Sequence, residues 1–94
     1  MMLVELIQVV ESDSNGVGLS KIYLNPKHIV FISENRRMQS VIRESSNLDL
    51  SPSTTFSTIR INEGGLSREI SVVGDPSTIE SKIHRKKRQN ILRG

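Results

Sequence analysis

Apolar positions in this chain come in short bursts with strand-like phasing, separated by polar punctuation. LVELIQVV, residues 3–10, is too short for a typical isolated helix and rich in strand formers, so it predicts a first strand buried over much of both faces. ESDSNGVGLS follows, and its Asn15-Gly16 and Gly18 predict a long hairpin connection. KIYLN then predicts a short second strand, with Ile22 and Leu24 on one side and Tyr23 on the other. Pro26 has no N–H to give a ladder, so Asn25-Pro26-Lys27 reads as a tight bend or an edge bulge. HIVFISE resumes as a third strand, with phases Ile29/Phe31 and Val30/Ile32. Asn35-Arg36-Arg37 reads as a turn, and QSVIRES, residues 39–45, as a fourth strand.

SSNLDLSPSTT, residues 45–55, is dominated by residues that divert the backbone into local hydrogen bonds, and it predicts a mobile loop. Within it, Leu48 and Leu50 either fold back onto the sheet or form a partner-docking pair. FSTIRINE, Gly64-Gly65 and LSREISVV form the clearest hairpin, with Ile59 and Ile61 in phase on one arm and Ile70 and Val72 on the other. Gly74 ends that arm. Asp75-Pro76 then predicts a helix start, Asp being a preferred cap and Pro being tolerated at the first helical position. Ile79, Ile83 and Ile91 recur at multiples of four, enough to moor the first two turns. The expected architecture is α+β: a mainly antiparallel sheet, or a small partly open barrel, of five or six short strands with one C-terminal helix. The whole of 1–94 reads as one domain, a β body over 1–74 and a basic helix or tail over 75–94.

Composition supports that reading. There are eleven Ile, eight Val and eight Leu but no Ala, and the aromatics are Tyr23, Phe31 and Phe56. Branching at Cβ suits a pleated surface, whereas Ala is the best helix former. The apolar fraction of 35% is modest for so small a core, which makes burial through a homodimer attractive, with an edge strand as the contact. The absence of Cys excludes disulfides, thiolate nucleophiles and cysteine-held zinc. No apolar run approaches the ~20 residues of a bilayer-spanning helix, and the opening MMLVELIQVV lacks the basic lead-in of a signal peptide, so a soluble, cytoplasmic protein is expected.

The net charge of +3 conceals an uneven layout. Residues 1–80 carry seven basic and ten acidic side chains, 7 − 10 = −3, while residues 81–94 carry six basic ones and no acid, +6. Those six, Lys82, Arg85, Lys86, Lys87, Arg88 and Arg93, are candidate contacts for a polyanion, since several phosphates neutralised together give salt-dependent binding without base selectivity. Cations near a helix C-terminus also complement its dipole, the plainer role for such a run. Three scattered aromatics do not readily build a base-stacking platform, and Ile91 with Leu92 is too small an apolar counterpart for firm membrane insertion.

The pieces LVELI, KIYLNPKHIVFISE, STIRINEGG and ISVVGDPSTIESKI, together about half the chain, occur in an order that resembles the small FlbD/SwrD proteins associated with flagellar and swarming motility. Comparable short proteins of unknown role occur in phages and other bacteria. The most recognisable part is Tyr23-Leu24-Asn25-Pro26, followed by the strand bearing Ile29 and Ile32. Residues 35–55 read as an insertion relative to that compact family, and SKIHRKKRQNILRG as unusually basic. The resemblance implies a small non-enzymatic accessory protein and carries over no catalytic residue.

The residues themselves point the same way. A nucleophilic hydrolase needs a base beside its hydroxyl, and neither His28 nor His84 lies in a recognisable nucleophile context such as G-x-S-x-G. His28 reads as a half-exposed histidine at a strand start. His84 reads as solvated. Asp, Glu and His are scattered singly, so no metal or other cofactor is expected; Glu63 and Glu69 flank one turn but read as surface charge. Gly16-Val17-Gly18 lacks the spacing of a phosphate loop. The expected function is binding, with a protein partner or a second copy. The alternative is a nucleic-acid-binding regulator using the basic helix.

Overall fold

The computed structural model describes residues 2–11, 16–44, 50–51 and 53–93, with side chains described through residue 84. Five strands, β1 (Val4–Glu11), β2 (Val17–Leu24), β3 (Ile29–Glu34), β4 (Phe56–Glu63) and β5 (Leu66–Val73), form one open antiparallel sheet in the order β2-β1-β5-β4-β3. Two helices accompany it, α1 (Arg36–Glu44) and α2 (Pro76–Arg93).

The sheet is curled, and chain length requires it. In a flat sheet the outer strands β2 and β3 would lie four spacings apart, ~19 Å. Leu24 and Ile29 are only five positions apart, a reach of at most ~18 Å when fully extended. Three of the intervening positions, Pro26–His28, are wound into a compact 3-10 turn, and Asn25 caps it by accepting the Lys27 N–H at 3.0 Å. The two edges therefore lean toward each other over the inner face. Leu24 is in the core there and Ile29 packs against it, together with Val4, Leu6, Ile59, Ile61, Ile70 and Val72. Ile79 of α2 closes the cluster, buried to 1% exposure. Full burial of one such side chain is worth about 1.5–3 kcal/mol, so this contact alone holds α2 firmly.

The hairpin of β4 and β5 forms as its sequence indicates. Gly64 and Gly65 both take positive φ, and Ile59, Ile61, Ile70 and Val72 share the inner face. Gly74 leaves β5 at φ 115°, its N–H donating to the Thr55 carbonyl at 2.8 Å. Its carbonyl accepts from the Ser57 hydroxyl at 2.7 Å, which satisfies a polar side chain with no solvent exposure.

Several expectations are corrected. The stretch read as a turn and a fourth strand is helix α1, so the single C-terminal helix becomes two. Adjacent Val41 and Ile42 suggest strand chemistry, but with Met38 they occupy i, i+3 and i+4, one stripe of a helix. That stripe packs on Val9, Val17 and Phe56 at one end of the outer sheet face. Asn35 is its N-cap, accepting the Met38 N–H at 3.0 Å. Strand β2 begins at Val17, so half of the polar connection is ladder, paired over eight positions with β1. In β3 a register shift between Ile29 and Phe31 accommodates Val30 as a bulge. It moves Ile32 onto the inner face with Ile29, in place of the expected alternation. Of the proposed loop, residues 45–49 and 52 lie outside the described residues.

Candidate functional site

α2 begins under tight local control. Asp75 accepts the Thr78 N–H at 2.9 Å and the Ser77 hydroxyl at 3.4 Å, and Pro76 occupies the first helical position. Hydrogen bonding from Thr78, through its side chain and then its backbone, with help from Ser77, holds the Asp75 carboxyl below its ordinary 3.8. Ile79 is buried and Ile83 half-buried against the inner cluster, and the helix touches β1 and β3. Its 18 residues span about 27 Å at 1.5 Å each. The anchored part is the N-terminal half, and the same helix continues through the basic segment to Arg93.

The six cationic candidates are thus brought onto one element. Lys82 is exposed beside the anchored turns. Arg85, Lys86, Lys87, Arg88 and Arg93 lie on the helix beyond them, their side chains outside the described residues. His84 Nε2 sits 3.4 Å from Glu80 Oε1 one turn earlier, so an acid stands beside this imidazole.

The body matches much of its own charge. Lys21 pairs with Glu5 at 3.5 Å, Arg36 with Glu34 at 3.0 Å, Arg37 with Glu11 at 3.6 Å and Arg60 with Glu69 at 3.6 Å. These pairs are exposed and each is worth little, about 0–1 kcal/mol. Their significance is distributional: four of the body's seven cations stand against acids of the body itself.

The outer sheet face is the second candidate surface. α1 packs on it around Val9, Val17, Phe56 and Val73, where Leu50 also packs, half-buried. Leu50 therefore folds back onto the body, while Leu48 lies outside the described residues. Beyond α1, the register places Tyr23, Lys21 and Leu19 of β2 beside Glu5, Ile7 and Val9 of β1. Tyr23 and Leu19 are 56% and 42% exposed. Phe31 shares that outer face but lies at the opposite edge, on β3, with the Arg60 guanidinium 6.0 Å from its ring centre. Phe56 is core. The aromatics accordingly form no common stacking platform.

Glu63 and Glu69, which flank the β4–β5 turn, do not share a face of the sheet. Glu63 falls on the inner-face phase of β4 and Glu69 on the outer-face phase of β5. Glu63 instead lies 3.8 Å from His28 Nδ1, and His28 ends the 3-10 turn, half-exposed. Among the described residues no three of His, Asp and Glu gather as a metal-binding group, and no helix is long and apolar enough to cross a membrane.

The outer face and the β2 edge were missed by sequence reasoning, because Val17–Ser20 was assigned to a connection. The available signal was the period-two order of Val17, Leu19 and Lys21. No protein-family model, curated protein or solved structure matches the chain.

Proposed function

We propose that the protein works by binding other macromolecules and not by catalysis. The observation that carries this reading is the mounting of α2, whose first turns are fixed to the sheet by Ile79 and Ile83 while the same helix runs on through the basic segment. A cationic helix fixed at one end to a rigid body is suited to presentation to a partner, since less orientational freedom is lost on binding. The resemblance to the FlbD/SwrD proteins supports an accessory role of the same kind in a bacterium or phage. The test is recovery of partners by the parent protein, set against an unrelated protein of equal charge. Equal recovery by the two would end the interaction reading.

A second reading, a nucleic-acid-binding regulator, is favoured by the charge layout: four of the body's seven cations stand against acids of the body, and the +6 of residues 81–94 is concentrated at one end of the sequence. Lys82, Arg85, Lys86, Lys87, Arg88 and Arg93 would then contact phosphates. Replacing Arg85, Lys86, Lys87 and Arg88 with Gln should abolish a gel shift and flatten its dependence on salt. A parent protein that shifts neither DNA nor RNA at low salt removes this reading. A protein partner retained by that variant and lost on deletion of 45–55 would assign binding to the loop.

A further inference from the structure

We infer that the ligand of the basic half of α2 is double-stranded DNA, with the helix seated in the major groove. This rests on the nucleic-acid reading above and narrows it from any polyanion to one form of duplex.

The apolar stripe that moors α2 stops at a definite place. Positions three, four and seven beyond Ile83, which would continue it, are Lys86, Lys87 and Asn90. An apolar cluster gives two cations and an amide nothing to bond, so the stripe cannot carry Arg85–Arg93, ~13 Å of helix, onto the core. Charge repulsion also acts within this segment. Lys82 and Lys86, Lys82 and Arg85, and Arg85 and Arg88 set like charges one turn apart, which weakens a helix. Against that, the capped and buried turns from Asp75 to Ile83 have already met the cost of nucleation, and a polyanion bound along the segment would relieve the repulsion.

The form of the polyanion follows from how the charges are laid out. Successive residues of a helix turn by about 100°, so Arg85, Lys86, Lys87 and Arg88 occupy positions all round its axis. A membrane surface or a lone phosphate chain lies along one side of a helix and would leave the far side unmatched. The major groove of B-form DNA has a phosphate backbone on either wall, and its ~12 Å width admits a helix of ~10–12 Å diameter. The deep, narrow major groove of A-form RNA does not admit one. Single strands are held largely by stacking on aromatics, and here Tyr23 and Phe31 lie on strands at opposite ends of the sheet, with Phe56 in the core. The body, with seven cations against ten acids over residues 1–80, is repelled by phosphate and leaves α2 as the contact.

The test is fluorescence anisotropy with a labelled DNA duplex, the RNA duplex of the same sequence and the single DNA strand, at one ionic strength. The parent should bind the DNA duplex roughly tenfold more tightly than either of the others. Gln89→Pro keeps all six cations but breaks the helix within the basic segment, so it should lose that preference and bind all three alike. Its urea midpoint should match the parent's, because residue 89 lies beyond the mooring at Ile83. Equal binding of the three by the parent, or a duplex preference retained by Gln89→Pro, would overturn the groove assignment while the nucleic-acid reading stands. Binding to none of the three would remove both and leave the basic helix to a protein partner.

Discussion

Asn35 donates from its side-chain amide to the Ser71 hydroxyl at 3.2 Å. The other side-chain atom, Oδ1, accepts the Met38 N–H at 3.0 Å, and the backbone N–H donates to the Phe56 carbonyl at 3.0 Å. One residue thereby starts α1 and ties that start to both strands of the central hairpin. Asn35→Ala should cost about 1–2 kcal/mol, the usual loss of a helix cap, with the severed link to Ser71 favouring the upper end. Asn35→Asp keeps the capping oxygen and removes only the donor, so it should lose less. Urea unfolding of the two variants checks the order; equal losses would mean that the capping bond to Met38 contributes nothing, and no loss in the Asp variant that the tie to Ser71 contributes nothing.

Gly74 supplies a backbone argument of a different kind. A Cβ added there would meet Ile79 Cγ1 at 3.7 Å, ordinary van der Waals contact, so crowding is not the obstacle. The obstacle is φ at 115°, a region that residues with side chains rarely adopt. Gly74→Ala should therefore destabilise by about 1–3 kcal/mol. Gly18→Ala, inside β2 with open space around it and an ordinary backbone, should be close to neutral or slightly stabilising. Thermal unfolding of the pair separates the two cases, and similar shifts for both would contradict the account.

Mooring of α2 can be tested by graded truncation. Ile79 is 1% exposed at the centre of the inner cluster, whereas Ile83 is only half-buried at its margin. Ile79→Ala should cost about 2–5 kcal/mol and Ile83→Ala distinctly less. Hydrogen exchange should show faster opening throughout α2 in the Ile79 variant, while β4 and β5 lose protection only to the extent that global stability falls. Uniform loss across the molecule would indicate that α2 is an inseparable part of the fold and not a mounted element.

These residues also show what could be read from the chain and what could not. The β4–β5 hairpin and the start of α2 were legible because their signals are local: paired glycines between two in-phase strands, and Asp75-Pro76 ahead of Ile79 and Ile83. α1 was not, because Val41 and Ile42 favour strands intrinsically and the contacts that decide otherwise, with Val9, Val17 and Phe56, come from distant sequence. The same limit applied to β3, where a single bulged residue moved Ile32 to the other face. Of the candidate surface, the charge of the final helix was plain from composition and its mooring from the spacing of Ile79 and Ile83, while the identity of the residues that receive them required the tertiary contacts. The placing of Leu19 and Tyr23 together on the outer face at the β2 edge depends on strand order, which no local pattern encodes.

Asp75 makes the cap of α2 dependent on pH. Hydrogen bonds led by Thr78 hold its folded-state carboxyl below the ordinary 3.8, so the folded form favours the carboxylate more than the unfolded chain does. The resulting stabilisation is fully present above the unfolded value and is lost as the pH falls through the lower folded value. Asp75→Asn preserves a capping oxygen but neither titrates nor carries the charge that complements the helix N-terminus. The parent should therefore be the more stable protein near neutrality, and the difference in urea midpoint should shrink as the pH is lowered from about 5 to about 3. Stability curves for parent and variant that remain parallel across that interval would show that the Asp75 charge does not support the helix.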